Sequence, residues 1–88
     1  MDGINVNQII YHKMHITIFK TSVETQGQVS KLYSALTTLP LIKQWNFDLE
    51  DCDRILRVIT TELQPLAVCK VLEAEGFSCE PLESFMYL

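Results

Sequence analysis

Apolar and polar residues alternate with period two in several short stretches of this chain, as they do in a strand that is buried on one side. In the run MHITIFKTSV, residues 14–23, Phe19 and Val23 fall on one face while Ile16 and Ile18 fall on the other. The run is also rich in β-branched residues, which pack well on a pleated surface. The pattern therefore predicts a first strand here.

Three further strands are predicted from the same pattern. Residues 42–49 and 54–60 alternate on either side of the polar cluster 50–53, which indicates a β-hairpin with its turn at the cluster. The run FSCEPL, residues 77–82, is predicted to be a short strand at a sheet edge, because Pro81 has no N–H to donate to a ladder.

Two other stretches repeat their apolar residues every three to four positions, which is typical of a helix with one buried face. The first covers residues 28–39 and is ended by Pro40, because the residue before a proline avoids the α conformation. The second begins at Pro65 and stops at Gly76. The residues predicted to face inward are Val29, Leu32, Tyr33, Leu36, Leu39, Val68, Cys69 and Leu72.

The predicted order is β-α-β-β-α-β over residues 14–83. This is the ferredoxin-like α+β arrangement, an antiparallel four-stranded sheet with two helices on one face. Residues 1–13 are read as an N-terminal extension and residues 84–88 as a C-terminal tail. In this topology the first loop, the hairpin turn and the exit of the second helix gather at one end of the sheet.

Composition argues against several classes of function. The 88 residues are 48% hydrophobic and 20% charged, which suits one domain with a modest core. The net charge of −4 argues against nucleic acid or an anionic membrane as partner, because both attract clustered Lys and Arg. We expect no signal peptide and no membrane insertion. Three cysteines without a CxxC pair favour a reducing compartment, so we expect a cytoplasmic protein.

The sequence carries none of the common catalytic or nucleotide-binding motifs. Nucleophile elbow, phosphate-binding loop, dinucleotide fingerprint and HExxH motif are all missing from it. We therefore predict a protein that is not an enzyme and that has no cofactor.

The loop TQGQ, residues 25–28, stands between the first strand and the first helix. Thr25 and Gln28 have the spacing of a capping box, in which each side chain accepts a hydrogen bond from the backbone N–H of the other residue. We expect this cap to stabilise the helix by about 1 kcal/mol.

The chain from residue 14 to residue 83 resembles the heavy-metal-associated domains, a family of small copper-chaperone-like modules. In that family an apolar residue ends the first strand, and a CxxC motif opens the first helix shortly after it. Val23 matches the apolar position, and Gly27 a glycine often found between the cysteines. Thr25 and Gln28 stand where the two cysteines do. The runs WNFDLEDCDRILRVIT and PLAVCKVLEAEGF resemble the family's second and third strands and its second helix.

The two positions that define the family's chemistry differ here. Paired thiolates bind Cu(I) or Zn(II) because two soft sulfur donors face one ion. A threonine hydroxyl and a glutamine amide are neutral, weak donors, so we predict that Thr25 and Gln28 hold no metal. One alternative is a metal-ion carrier with a non-standard site that uses Cys52, including a site shared by two subunits. Another is a regulatory domain that binds a small molecule.

The sheet face away from the helices carries a second candidate site. Ile16 and Ile18 of the first strand and Ile55 and Ile59 of the third are predicted to point to that face. Both strands are central in this topology, so we expect one contiguous apolar patch where an antiparallel sheet is normally polar. Such a patch indicates a cover or a partner.

Three covers for this patch are compatible with the sequence: residues 4–11, residues 85–88, or a second copy of the chain packed sheet against sheet. The leading prediction is a protein-interaction or self-associating module of heavy-metal-associated type. Its partner is expected to be another protein or a second copy, bound through the open sheet face.

Overall fold

The computed structural model describes residues 14–87, which form one antiparallel sheet and two helices. The order β-α-β-β-α-β and the ferredoxin-like α+β class are confirmed. The elements, in chain order, are β1 (Met14–Thr21), α1 (Gln26–Thr37), β2 (Ile42–Asp48), β3 (Ile55–Thr60), α2 (Pro65–Ala74) and β4 (Cys79–Tyr87). The predicted extension 1–13, and with it the cover 4–11, lies outside the described residues.

The strand order in the sheet is β2-β3-β1-β4, so β1 and β3 are central as predicted. All three pairings are antiparallel. In the central pairing His15 lies opposite Thr60 and Lys20 lies opposite Ile55. This regular register fixes which side chains share a face, because neighbouring residues along a strand point to opposite faces.

The core lies between the two helices and one face of the sheet. α1 contributes Leu32 and Leu36, and α2 contributes Val68, Cys69 and Leu72, all of them predicted from helical spacing. The sheet contributes the alternate residues of β1 and β3. The buried cluster consists of Phe19, Val23, Leu32, Leu36, Leu56, Val58, Val68, Cys69 and Leu72.

Tyr33 was predicted to face inward, and this prediction is wrong. Its side chain is 60% exposed and lies at the border of the buried stripe of α1. There it meets the edge strand β2, with its ring centroid 5.8 Å from that of Trp45 in an edge-on arrangement. The residue keeps an aromatic contact and leaves the fully buried positions to Leu32 and Leu36.

The fourth strand is longer than predicted, and the predicted tail 84–88 is wrong for residues 84–87. β4 continues to Tyr87, and Phe85 lies opposite Ile16 of β1. The physical reason is that β1 has backbone N–H and C=O groups facing β4 along its whole length, and β4 pairs with them. The register shifts where Phe19 faces Pro81, so the strand passes the proline and goes on pairing.

Neither helix within residues 14–87 is long and apolar enough to cross a membrane. α1 has 12 residues and α2 has 10. A spanning helix needs about 20 apolar residues.

Candidate functional site

The loop TQGQ forms the capping box predicted from its spacing. The Gln28 N–H donates to Thr25 Oγ1 at 3.1 Å, and the Thr25 N–H donates to Gln28 Oε1 at 3.3 Å. Gln28 Oε1 also accepts from the Glu24 N–H at 2.7 Å. The side chains of Thr25 and Gln28 are therefore both hydrogen-bonded to backbone groups at the start of α1.

Three loops meet at this end of the molecule, as the topology predicted. The Ser78 N–H donates to Ser22 Oγ at 2.9 Å, which ties the exit of α2 to the loop after β1. The Arg54 guanidinium lies 3.9 Å from the Glu24 carboxylate, which joins the hairpin turn to the residue before the cap. Since both groups of the ion pair are solvent-exposed, the pair adds little to stability.

The hairpin turn brings two carboxylates and one thiol together. Ligand atoms of Asp51, Cys52 and Asp53 lie within 4.8 Å of one another, and Cys52 is exposed as a free thiol. Asp51 Oδ1 also accepts from the Asp53 N–H at 2.8 Å, and Asp53 pairs with Lys20 at 3.8 Å. Asp51 thus shapes the turn and Asp53 forms an exposed ion pair with β1, and Cys52 has no such contact among the described residues.

The other two thiols lie together between α2 and β4, where Cys69 is buried and Cys79 is partly buried. The sequence left the direction of Cys79 open, and the structure turns it to the helix side, in contact with Cys69. Burial raises the pKa of the Cys79 thiol well above its ordinary value, and the hydrogen bond with Cys69 raises it further. Burial also raises the pKa of Cys69. Both thiols are therefore protonated at neutral pH and act as small apolar side chains.

On the open face of the sheet, three rows of side chains cross all four strands. Residues directly opposite each other across neighbouring strands share a face, so the pairing registers give the rows. Going from β2 to β4, the rows are Gln44, Ile59, Ile16 and Phe85; Asn46, Arg57, Ile18 and Glu83; and Asp48, Ile55, Lys20 and Glu80.

The first of these rows contains three large apolar residues side by side, Ile59, Ile16 and Phe85, which we call the apolar row. Strands are about 4.8 Å apart, so the row extends roughly 10 Å across the sheet. Phe85 is 51% exposed, and both isoleucines are half-buried. No helix or strand formed by residues 14–87 packs over it.

Ile55 does not behave like the other three predicted isoleucines. It is only 6% exposed, and Arg57 separates it from Ile59 along β3. Its neighbour across the sheet is Lys20, whose methylene stem can cover an apolar neighbour while its ammonium group remains in water. The exposed apolar surface is therefore smaller than predicted and lies at the end of β1 away from the TQGQ loop.

Phe85 is the residue of this surface that sequence reasoning missed, because residues 84–88 were read as a tail. The signal was present in the length of the first strand. β1 has 8 residues, and an antiparallel neighbour long enough to match them must continue past Pro81. Residues 85–87 of the predicted cover 85–88 therefore do not lie over the patch, because they belong to β4, where Phe85 adds to the open face. Residue 88 lies outside the described residues.

A shallow groove lies beside the apolar row, between β2 and β3. It has a volume of about 250 Å³ and is lined by Ile16, Gln44, Trp45, Asn46, Arg57 and Ile59. Pockets for small ligands usually measure about 300–1,000 Å³. The groove is more suitable for a side chain of a partner than for an enclosed ligand.

A scan against models of known protein families and a search of curated protein sequences both find no match to this chain. The resemblance to the heavy-metal-associated domains stays a prediction.

Proposed function

We propose that this chain is a protein-interaction or self-associating module of heavy-metal-associated type, and that it binds through the open face of its sheet. The observation that carries the proposal is the apolar row, three large side chains on a face that no other element of residues 14–87 covers. An antiparallel sheet with one solvated face normally presents polar residues there.

The surroundings of the apolar row support a protein partner. The next row holds Asn46, Arg57 and Glu83 on either side of Ile18, and Gln44 lies at the β2 end of the apolar row. An apolar centre with a polar border is the usual arrangement of a protein–protein interface. Burying apolar surface contributes about 25 cal/mol per Å², so covering Phe85 alone adds measurably to binding.

The family assignment within this proposal is supported by the fold and by the position of the capped loop. The ferredoxin-like order is present, and TQGQ opens the first helix where the family has its cysteines. Hydroxyl and amide groups that are engaged in a helix cap make poor ligands for a soft metal ion. In this proposal the docking surface remains after the metal chemistry has been lost.

A photo-crosslinking amino acid at Gln44 tests the proposal, because this exposed residue borders the apolar row without belonging to it. We expect discrete covalent adducts, with the chain itself or with another protein, in cells that express the variant. The control carries the same group at the exposed Lys70 of α2. Identical adducts from both positions, or none from Gln44, would contradict binding through the open face.

A metal-binding role of the hairpin turn is the second candidate, because Asp51, Cys52 and Asp53 place their ligand atoms within 4.8 Å. Anaerobic titration with Cu(I) and with Zn(II), read by native mass spectrometry, separates it from the first. Stoichiometric binding that is lost in Cys52→Ser and kept in Cys79→Ser would favour this candidate. The interaction proposal expects no stoichiometric binding in any of the three proteins.

A further inference from the structure

The outer edge of β4 presents backbone groups that no strand of the described chain pairs with. The pairing of β1 shows which of these backbone N–H and C=O groups point outward. The Thr21 N–H donates towards β3, to the carbonyl of Arg54 at 3.2 Å. Backbone groups alternate in direction along a strand, so the even residues of β1 face β4. Phe85, the partner of Ile16, therefore points its backbone groups inward, and Ser84 and Met86 point theirs outward.

This edge has two parts: a blocked half, which contains Glu80, Pro81 and Glu83, and an open half, residues 84–87. In the blocked half, Pro81 has no N–H, the register shifts beside it, and Glu80 and Glu83 add negative charge. These are the usual devices by which proteins prevent pairing at a sheet edge. Residues 84–87 form the open half, SFMY, which contains no proline and no charged residue. The side chains of Phe85 and Met86 are 51% and 60% exposed.

We propose that a second copy of this chain pairs antiparallel with the open half of β4, about a two-fold axis at Phe85. Ser84 of each copy then lies opposite Met86 of the other, and their outward N–H and C=O groups exchange hydrogen bonds in both places. The two Phe85 side chains meet on the open face. This inference goes beyond the proposed function, because the second copy binds at the edge of the sheet, and it rests on that function only for the role of the enlarged open face.

The edge itself argues for a second copy in this register. The outward groups of Ser84 and Met86 are placed symmetrically on either side of Phe85, so the segment matches itself when it is reversed. In this register Glu83 lies opposite residue 87, while a pairing centred on Glu83 would bring two carboxylates together. The apolar row of one copy also continues directly into that of the other, through Phe85.

Ser84 offers a matched pair of variants for the test. Ser84→Pro removes the outward N–H, and the β1 ladder loses no hydrogen bond. Ser84→Ala keeps the N–H and removes the same hydroxyl, which hydrogen-bonds Thr17 at 3.0 Å. We expect sedimentation equilibrium to show a dimer for wild type and Ser84→Ala, and association at least about tenfold weaker for Ser84→Pro, which loses two symmetric bonds. Circular dichroism confirms that each variant is folded.

Amide hydrogen exchange of the wild type is a second measurement that needs no variant. We expect the amides of Ser84 and Met86 to exchange more slowly as the protein concentration rises, and that of Phe85 to be protected at every concentration. Equal association of Ser84→Pro and wild type, or exchange at Ser84 and Met86 that ignores concentration, overturns the edge dimer.

The two proposals fail in different ways. A dimer that persists in Ser84→Pro and is lost in Ile18→Glu indicates packing of face against face, which overturns the edge pairing and supports the proposed function. An edge dimer without any adduct from the crosslinker at Gln44 supports the edge pairing and contradicts binding through the open face.

Discussion

Gly76 ends α2 with a φ of +92°, a backbone conformation that is strained for any residue with a Cβ. Its N–H donates to the Glu73 carbonyl at 3.0 Å, and the Phe77 N–H donates to the Leu72 carbonyl at 3.0 Å. Together these bonds form a Schellman motif, which satisfies carbonyls that the helix end leaves without partners. The turn therefore depends on the backbone freedom of this glycine.

We expect Gly76→Ala to lower the free energy of unfolding by about 1–2 kcal/mol, because alanine is strained at positive φ. Space is no obstacle, since an added Cβ at Gly76 meets no atom within 4 Å. Gly27 is the matched control: it lies in the first turn of α1, and a Cβ there would lie at an ordinary 3.8 Å from Thr25 Oγ1. Gly27→Ala should raise the free energy of unfolding by about 0.5 kcal/mol.

Urea denaturation of the two variants measures both changes. A loss of stability in Gly76→Ala with a gain in Gly27→Ala confirms the backbone explanation. Equal changes of the same sign in the two variants would contradict it, because the positive φ of Gly76 would then have no effect of its own on stability.

Single residues were predicted from sequence where their roles are local. The cap formed by Thr25 and Gln28 and the helix stop at Gly76 depend on residues within one turn, and both are present in the structure. The burial of Ile55 and the direction of Cys79 depend on neighbours from other elements, Lys20 and Cys69. No spacing along the chain contains that information.

At the scale of elements, α1 begins with a cap in which two side chains accept hydrogen bonds from three backbone N–H groups, those of Glu24, Thr25 and Gln28. We expect Thr25→Ala to lower the free energy of unfolding by about 1 kcal/mol, and Thr25→Ser to change it little, because serine keeps the accepting oxygen. Gln28→Ala should cost a similar amount, since its Oε1 accepts from both Glu24 and Thr25.

A double-mutant cycle of Thr25→Ala and Gln28→Ala measures the coupling of the two side chains. Since they act within one box, the loss in the double variant should be smaller than the sum of the two single losses. Additive losses would show that each side chain stabilises the helix independently, against the reciprocal arrangement seen here.

Element types were readable from periodicity, and the length of β4 was not. Pro81 is a local signal that a strand ends, and it suggested a stop near residue 82. Pairing with β1 is a tertiary interaction and continues the strand to Tyr87. The apolar row was therefore incomplete in the sequence prediction, because its third member stands beyond the proline.

At the scale of the whole molecule, the three thiols report on different parts of the fold. Cys52 is exposed, while Cys69 and Cys79 lie in or against the core. We expect a thiol reagent to modify Cys52 rapidly. Cys69 and Cys79 should react only as fast as the domain unfolds, because the reagent reaches them when the core opens. Mass spectrometry of samples with and without a low concentration of urea follows the rapid and the slow modification. Cys52→Ser should remove the rapid modification.

The core thiols also predict how stability depends on pH. Their pKa values are raised in the folded state, chiefly by burial, with Glu73 adding to the effect. The folded state therefore keeps protons that unfolded thiols lose above about pH 8.5. The free energy of unfolding should be fully preserved below that pH and should fall as the pH rises above it.

Urea midpoints measured from pH 7 to pH 10 test this dependence. The double variant Cys69→Ala/Cys79→Ala is less stable throughout because it loses core volume, but its slope above pH 8.5 should be shallower than that of wild type. If the stability of both proteins falls with the same slope above pH 8.5, groups other than the two thiols cause the loss.

The order of pairing along the chain has a consequence for biosynthesis. β1 is the first strand described and β4 is the last, and they lie side by side. A nascent chain can form the β2–β3 hairpin early, but one flank of β1 has no partner among the described strands until β4 has been made. Long-range pairing of this kind slows folding, and it exposes an unpaired strand during synthesis. The sheet of residues 14–87 is therefore complete only when β4 has been made.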